Sequence, residues 1–482
     1  MDDRCRRRAA RTLTVIAHHF SVQTTFLKPT RRRPFLTPVQ VELSVAAGAI
    51  AGLLFTLYVW FPGVMTYDAR YLYNDAQRGE VGDWQSPVMG ALWRLVDPLA
   101  PGSGSVLLLT ACSYWLAFGL IARTIARRAP LAGLGLLGLG LSPPAFLLVG
   151  IIWRDVPFAA FWLLAAAIAF ADIPRGQIAA RSIAVALVVL GVLLRPNAIA
   201  AAPLLAFYCA TPAAFYLRRT LLLFVPAGLA CYALVAVVYY DVMGAKQLHP
   251  LHSIMVFDLG GISHFTGRNR FPGAWSDAEA ARIAGSCYRP ETWDVYWLPD
   301  RCPFVMQRLE QTKLFGAPGL QAAWGQAIVA APLAYARHRL RYFTSLLGGA
   351  NLVMWTQDLD DPRKIAFANQ PSLMRLKALQ DALAPFWLLR TGPWLLLNAV
   401  LCLFAWRRRQ TAAGAFVLAT SGSAALYGLS FLPLGVASDF RYLYWNVLSG
   451  LAGLVVTLAP PAAGSPPPAP RLPPADPPPG PA

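Results

Sequence analysis

Two aspartates and a scatter of arginines stand where an apolar chain has least reason to keep charge. Asp68 closes the string Phe61-Pro62-Gly63-Val64-Met65-Thr66-Tyr67-Asp68, just past the first long apolar run. A carboxylate at that boundary can take a proton from a hydroxyl while a lipid-borne substrate lies alongside. The plainer alternative is a solvated loop aspartate. Trp153-Arg154-Asp155 sets a charged pair in a tight corner between two apolar runs. Ionisable residues are costly in such places and are usually kept for function, although a local Arg154–Asp155 pair that stops a helix would look the same. If both carboxylates share a face, they can converge, one as a base and the other orienting it or the acceptor. Between them lies Gly82-Asp83-Trp84-Gln85-Ser86-Pro87. Trp84 and Gln85 offer the apolar plane and polar edge that suit a sugar, and equally an interfacial belt beside a turn.

The basic residues have an obvious use beside them. Arg195 sits in a break, Arg195-Pro196-Asn197. Lys246, His249 and His252 follow a later apolar run, Arg337, His338, Arg339 and Arg341 form a dense cluster, and Arg441 follows Ser438-Asp439-Phe440. Arginine and lysine bind phosphates, by fork or by point charge. The alternatives are an amphipathic helix touching lipid heads for Arg337–Arg341 and a mutual ion pair at a helix start for Asp439 and Arg441. His249 and His252 can ligate a metal only with a third partner that the sequence does not supply, so a divalent ion is conceivable but not indicated. There is no Gly-rich nucleotide loop, Walker motif, HExxH or CxxC, so ATP as an energy source is not indicated either.

These residues must be positioned by membrane helices. The chain has 482 residues, 56% apolar and only 14% charged, and a mean hydropathy of +0.46. Soluble domains carry roughly 25% charged residues. Runs such as 43–67, 98–122, 129–153 and 220–240 hold no charge, each enough for the roughly 20 residues a spanning helix needs. Backbone groups in lipid must pair internally, so the predicted class is an all-α integral membrane bundle. The net charge of +18 is spread as arginine clusters between apolar runs. That pattern marks cytoplasmic ends and contact with membrane lipids rather than nucleic acid.

Keeping those clusters inside gives about ten spans, with both termini cytoplasmic: 41–62, 105–124, 131–151, 155–171, 182–194, 197–211, 220–240, 384–405, 411–432 and 441–459. The first reads as an uncleaved signal anchor. Residues 182–211 read as two short helices, with one broken helix as the alternative. The expected divisions are a basic arm (1–40), an N-terminal bundle (41–240) with an outer loop at 63–104, a large outer region (241–383), C-terminal helices (384–460) and a Pro-rich tail (461–482). Cys287 and Cys302 are the only cysteines in the outer segments, which oxidising conditions would link as a disulfide.

The arrangement of an outer Asp after the first helix, a second Asp at the third-to-fourth corner and a long late outer region resembles the GT-C-type membrane glycosyltransferases. That superfamily includes the protein mannosyltransferases and the aminoarabinose transferases of lipid A. The strings PGVMTYDARYLYNDAQ, DWQSP, WRDVPF, LLRPN and SDFRY are similar to a group of bacterial membrane proteins placed near it. The resemblance implies an inner-membrane transferase moving a sugar from a polyprenyl-phosphate donor to a glycan, lipid or protein acceptor, with inversion. Asp68 and Asp155 would match the two carboxylates, and Arg195, Arg337 or Arg441 would hold the donor phosphate. The chain departs from the family in its shortness and in carrying one Asp, not an adjacent acidic pair, at the first loop. A flippase or other transporter of a lipid-linked or small anionic substrate, and a polymerase of lipid-linked repeats, are the rival readings.

Overall fold

The computed structural model describes residues 37–460 apart from 172, 174–175, 350–351 and 355–369. Most of the basic arm and the whole Pro-rich tail, 461–482, lie outside the described residues. Within them every regular element is helical, joined by three isolated β-bridges. The helices are α1 (Pro38–Trp60), α2 (Tyr67–Arg78), α3 (Pro87–Val96), α4 (Ser103–Ala126), α5 (Pro130–Leu139), α6 (Pro143–Val149), α7 (Asp155–Phe170), α8 (Gln177–Leu194), α9 (Ala202–Ala210) and α10 (Leu217–Ala236). There follow α11 (His252–Thr266), α12 (Asp277–Gly285), α13 (Phe304–Gln311), α14 (Pro318–Ala330), α15 (Pro332–Thr344), α16 (Gln370–Leu383), α17 (Gly392–Trp406), α18 (Ala412–Leu434) and α19 (Tyr444–Leu458).

Five of these are long and apolar enough to cross a bilayer: α1, α4, α8, α10 with its π-helical extension to Val242, and α18. Helices α5 and α6 meet the same test together but are bent by 52° at their break. The apolar α7 and α17 are shorter, at 16 and 15 residues, and α9 has only 9. The sequence predicted about ten comparable spans, whereas the described helices form a graded set. The structure also lengthens 182–194 to Gln177–Leu194 and replaces 197–211 by a 3-10 turn, Pro196–Ala200, followed by α9. Proline supplies the break, since it lacks the amide that would continue α8. Helix α9 then packs back along α8, so the chain reverses at Arg195 rather than continuing as one broken helix.

Starts and stops follow local chemistry. Proline opens α3, α5, α6, α14 and α15, where its missing amide costs nothing. Ser86 caps α3 by accepting from the Met89 amide at 3.1 Å, and Ser276 with Glu279 forms a capping box on α12.

The core is built around α4, α7, α18 and α19, whose side chains are mostly buried. Close approach needs small residues: a Cβ on Gly150 would sit 2.1 Å from the Trp60 indole. Polar side chains join helices across the interior. Asn398 donates to the Asn446 carbonyl at 2.8 Å, Ser449 to the Asn398 Oδ1 at 2.6 Å, and Asn446 to the Ala424 carbonyl at 3.0 Å. By contrast α10 turns Leu221, Leu222, Val225, Leu229 and Tyr232 outward, a surface suited to hydrocarbon rather than water.

The helices run between two ends. At one, Glu42 pairs with Arg123 at 3.3 Å and Arg127 at 3.2 Å, and the Phe215 amide donates to the Arg409 carbonyl at 2.8 Å. At the other gather the segments after α1, before α7, after α8 and between α18 and α19. Residues 252–344 contribute a helical unit there. Helices α11, α14 and α15 pack on one another, and a disulfide joins Cys287 to Cys302 across 15 positions.

Candidate functional site

Asp68 lies in the first turn of α2, not in an irregular loop, where the helix dipole favours a carboxylate. Its side chain keeps 43% of its surface exposed, and its Oδ2 accepts from Arg441 Nη1 at 3.2 Å. Arg441 also pairs with Asp439 at 3.0 Å, and its guanidinium lies 4.4 Å from the centre of the Trp153 ring. The alternative of a local Asp439–Arg441 pair is therefore only half of the arrangement. Arg441 bridges two carboxylates that are distant in sequence. Burial pushes the Asp439 carboxyl up from its ordinary range, while Arg441 pulls it back.

Asp155 stands at the start of α7 and is almost fully buried. Its partner is Arg195 at 2.9 Å, not the adjacent Arg154, which corrects the local ion pair considered from sequence. Arg195 also lies near the Tyr427 hydroxyl, at 3.4 Å, and 5.0 Å from the centre of the Tyr442 ring. That ring lies 5.4 Å from the Arg441 guanidinium as well, so Tyr442 joins the two ion pairs through cation–π contact. The break at Arg195-Pro196 thus ends α8 where its side chain meets α7, α18 and the corner before α19.

Arg154 differs from the other two arginines. It donates to the Trp84 carbonyl at 3.4 Å and has no ion pair among the described residues. Burial and the neighbouring Arg195 both pull its pKa down, against Asp155. An anion placed beside it would relieve both. The segment holding Trp84 is fixed to the end of α8, since Ser86 Oγ and Tyr239 Oη both donate to the Leu193 carbonyl, at 2.8 and 2.5 Å. Trp84 packs on Trp293 with ring centres 5.9 Å apart. Gln85 is half-buried in a groove it shares with Tyr71, Asp75, Arg94 and Leu248.

The remaining candidates stand apart. His249 and His252 lie 5.5 Å from one another, and His252 Nδ1 accepts from the Gly316 amide at 3.0 Å. Among the described residues no group of three His, Cys, Asp or Glu could hold a metal. Arg337 is exposed on α15. Its neighbours His338 and Arg339 turn inward onto Asp258, at 3.1 and 2.7 Å, and Trp324 Nε1 donates to the same carboxylate at 2.8 Å.

The structure therefore brings Asp68, Arg154, Asp155, Arg195 and Arg441 to one end of the bundle, with Trp84 at the margin. His249, His252 and Arg337 are not joined to them by any hydrogen bond or ion pair among the described residues. Sequence reasoning missed Asp258, Tyr442 and Tyr427. Asp258 had a signal, as the sole charge within the apolar string Ile254-Met255-Val256-Phe257-Asp258-Leu259. No family model, curated protein or solved structure matches the chain.

Proposed function

We propose that the chain is a membrane glycosyltransferase that moves a sugar from a polyprenyl-phosphate donor to a hydroxyl-bearing glycan, lipid or protein acceptor. One observation carries the reading. A half-exposed carboxylate, Asp68, and Arg154, a guanidinium with no ion pair among the described residues, accompany a buried Asp155–Arg195 pair at one end of an apolar helical bundle. Asp68 takes the proton of the acceptor hydroxyl. The freed oxygen pair attacks the anomeric carbon, and the carbon–oxygen bond to phosphate breaks with inversion. Arg154 receives the charge left on the phosphate. Asp155 is too buried to meet a substrate hydroxyl, so its part is to hold Arg195.

In this reading the shorter helices α7, α9, α17 and α19 and the bent α5–α6 pair cross the inner membrane with the five longer ones. The arginine-rich end, with both termini, faces the cytoplasm and the carboxylate cluster faces outward. The test is incubation of the purified protein with polyprenyl-phosphate sugars and candidate acceptors. A glycosylated product is expected. A protein that moves the lipid-linked substrate across vesicles and yields no product on any acceptor is the carrier, whose case rests on the helix break at Arg195-Pro196 and the buried charge beside it.

A further inference from the structure

Asp439 and Arg441 belong to the corner between α18 and α19, and residues 435–438 of that corner are held from outside the bundle. The Trp293 amide donates to the Val436 carbonyl at 2.9 Å and the Ser438 amide to the Glu291 carbonyl at 2.7 Å, on either side of a Thr292–Ala437 bridge. Residues 291–293 lie inside the loop closed by Cys287 and Cys302. From α15, Arg339 Nη1 donates to the Gly435 carbonyl at 2.7 Å and Tyr342 Oη to the Ala437 carbonyl at 3.2 Å. A Cβ on Gly435 would lie 1.8 Å from that tyrosine oxygen, so only glycine lets the corner come so close.

Arg339 is itself fixed. Its Nε faces Asp258 Oδ1 at 2.7 Å, and Asp258 is buried on α11 with Trp324 and His338 as further partners. A buried arginine whose carboxylate is fully enclosed has little freedom to leave the Gly435 carbonyl.

We infer that Arg339, anchored by Asp258, is a positioning residue that clamps the 435–438 corner and thereby sets Arg441 against Asp68. The helical unit at 252–344 is then a brace for the site and not only a cover. The catalytic consequence rests on the transferase reading; the clamp itself does not.

Arg339 performs two tasks with two nitrogens, which makes it separable. Arg339→Lys keeps a cation for Asp258, but one ammonium cannot also reach the Gly435 carbonyl in the same geometry. Hydrogen exchange of the full chain in lipid nanodiscs should show residues 435–443 exchanging about tenfold faster, as expected for the loss of one charge-assisted hydrogen bond. Peptides from α11 and α15 should match wild type. Tyr342→Phe removes only the second bond and should loosen the same residues to a smaller extent, which keeps the comparison if the lysine variant does not fold. Unchanged exchange at 435–443 in the variants that fold, or an equal rise throughout 252–344, overturns the clamp. Where wild type transfers sugar, Arg339→Lys should lower kcat and leave the donor KM in place. No transfer by wild type removes the transferase reading and leaves the exchange result standing.

Discussion

At the scale of single residues, similar side chains take unlike roles through burial and partners. Asp68 is open and shared with Arg441, whereas Asp155 is enclosed and bound to Arg195. Asp155→Asn strands a buried guanidinium, which costs about 3–5 kcal/mol. The thermal midpoint in detergent should fall by many degrees, and replacing Arg195 by Met in the same chain should restore much of it. A double variant no more stable than Asp155→Asn alone would show that the pair is not what links α7 to the end of α8. His338 gives a pH dependence. Burial lowers its pKa from the ordinary value, against Asp258. The unfolded chain therefore takes up this proton first on acidification. Stability should be fully present above about pH 6.5 and decline below it as the pH approaches the lowered native value. His338→Gln should flatten that decline in thermal melts between pH 8 and 5. An unchanged slope would assign the dependence to other groups.

At the scale of elements, the Cys287–Cys302 bond closes a loop of 15 positions, worth about 3 kcal/mol in the chain-entropy model. Non-reduced peptide mass spectrometry should recover the linked pair, and Cys302→Ser should melt the helical unit at 252–344 earlier than the bundle. Free thiols at both positions in protein from native membranes would contradict it. The pairing was legible because Cys287 and Cys302 alone among the cysteines lie within 241–383, between the apolar runs. Helix existence was legible too, since charge-free runs of bilayer length leave little choice. Lengths were less so. Hydropathy does not register that Gly140-Leu141-Ser142 bends α5 from α6, or that Pro196 leaves α9 only 9 residues. Long-range partners were the least legible. Nothing in Arg154-Asp155 as a string says that Asp155 will choose Arg195, and nothing in Arg337–Arg341 says which two of its basic residues turn toward Asp258. Those choices depend on how helices pack, which one sequence does not display.

At the scale of the molecule, the bundle has two unlike ends, with basic residues where α4, α10 and α17 begin or finish and the carboxylate cluster at the opposite end. Cysteine labelling should place Trp275→Cys outside and Arg408→Cys inside, and the reverse pattern would put the cluster in the cytoplasm and remove the proposed donor chemistry. The central claim is that Asp68 accepts the acceptor's proton, and the most direct measurement is the rate of sugar transfer by purified Asp68→Asn protein against wild type. Loss of a general base costs about 10²–10⁴-fold. A loss of that size is expected with the thermal midpoint nearly unchanged, because the Asp68 carboxylate is half-exposed. Transfer at the wild-type rate by Asp68→Asn would contradict it.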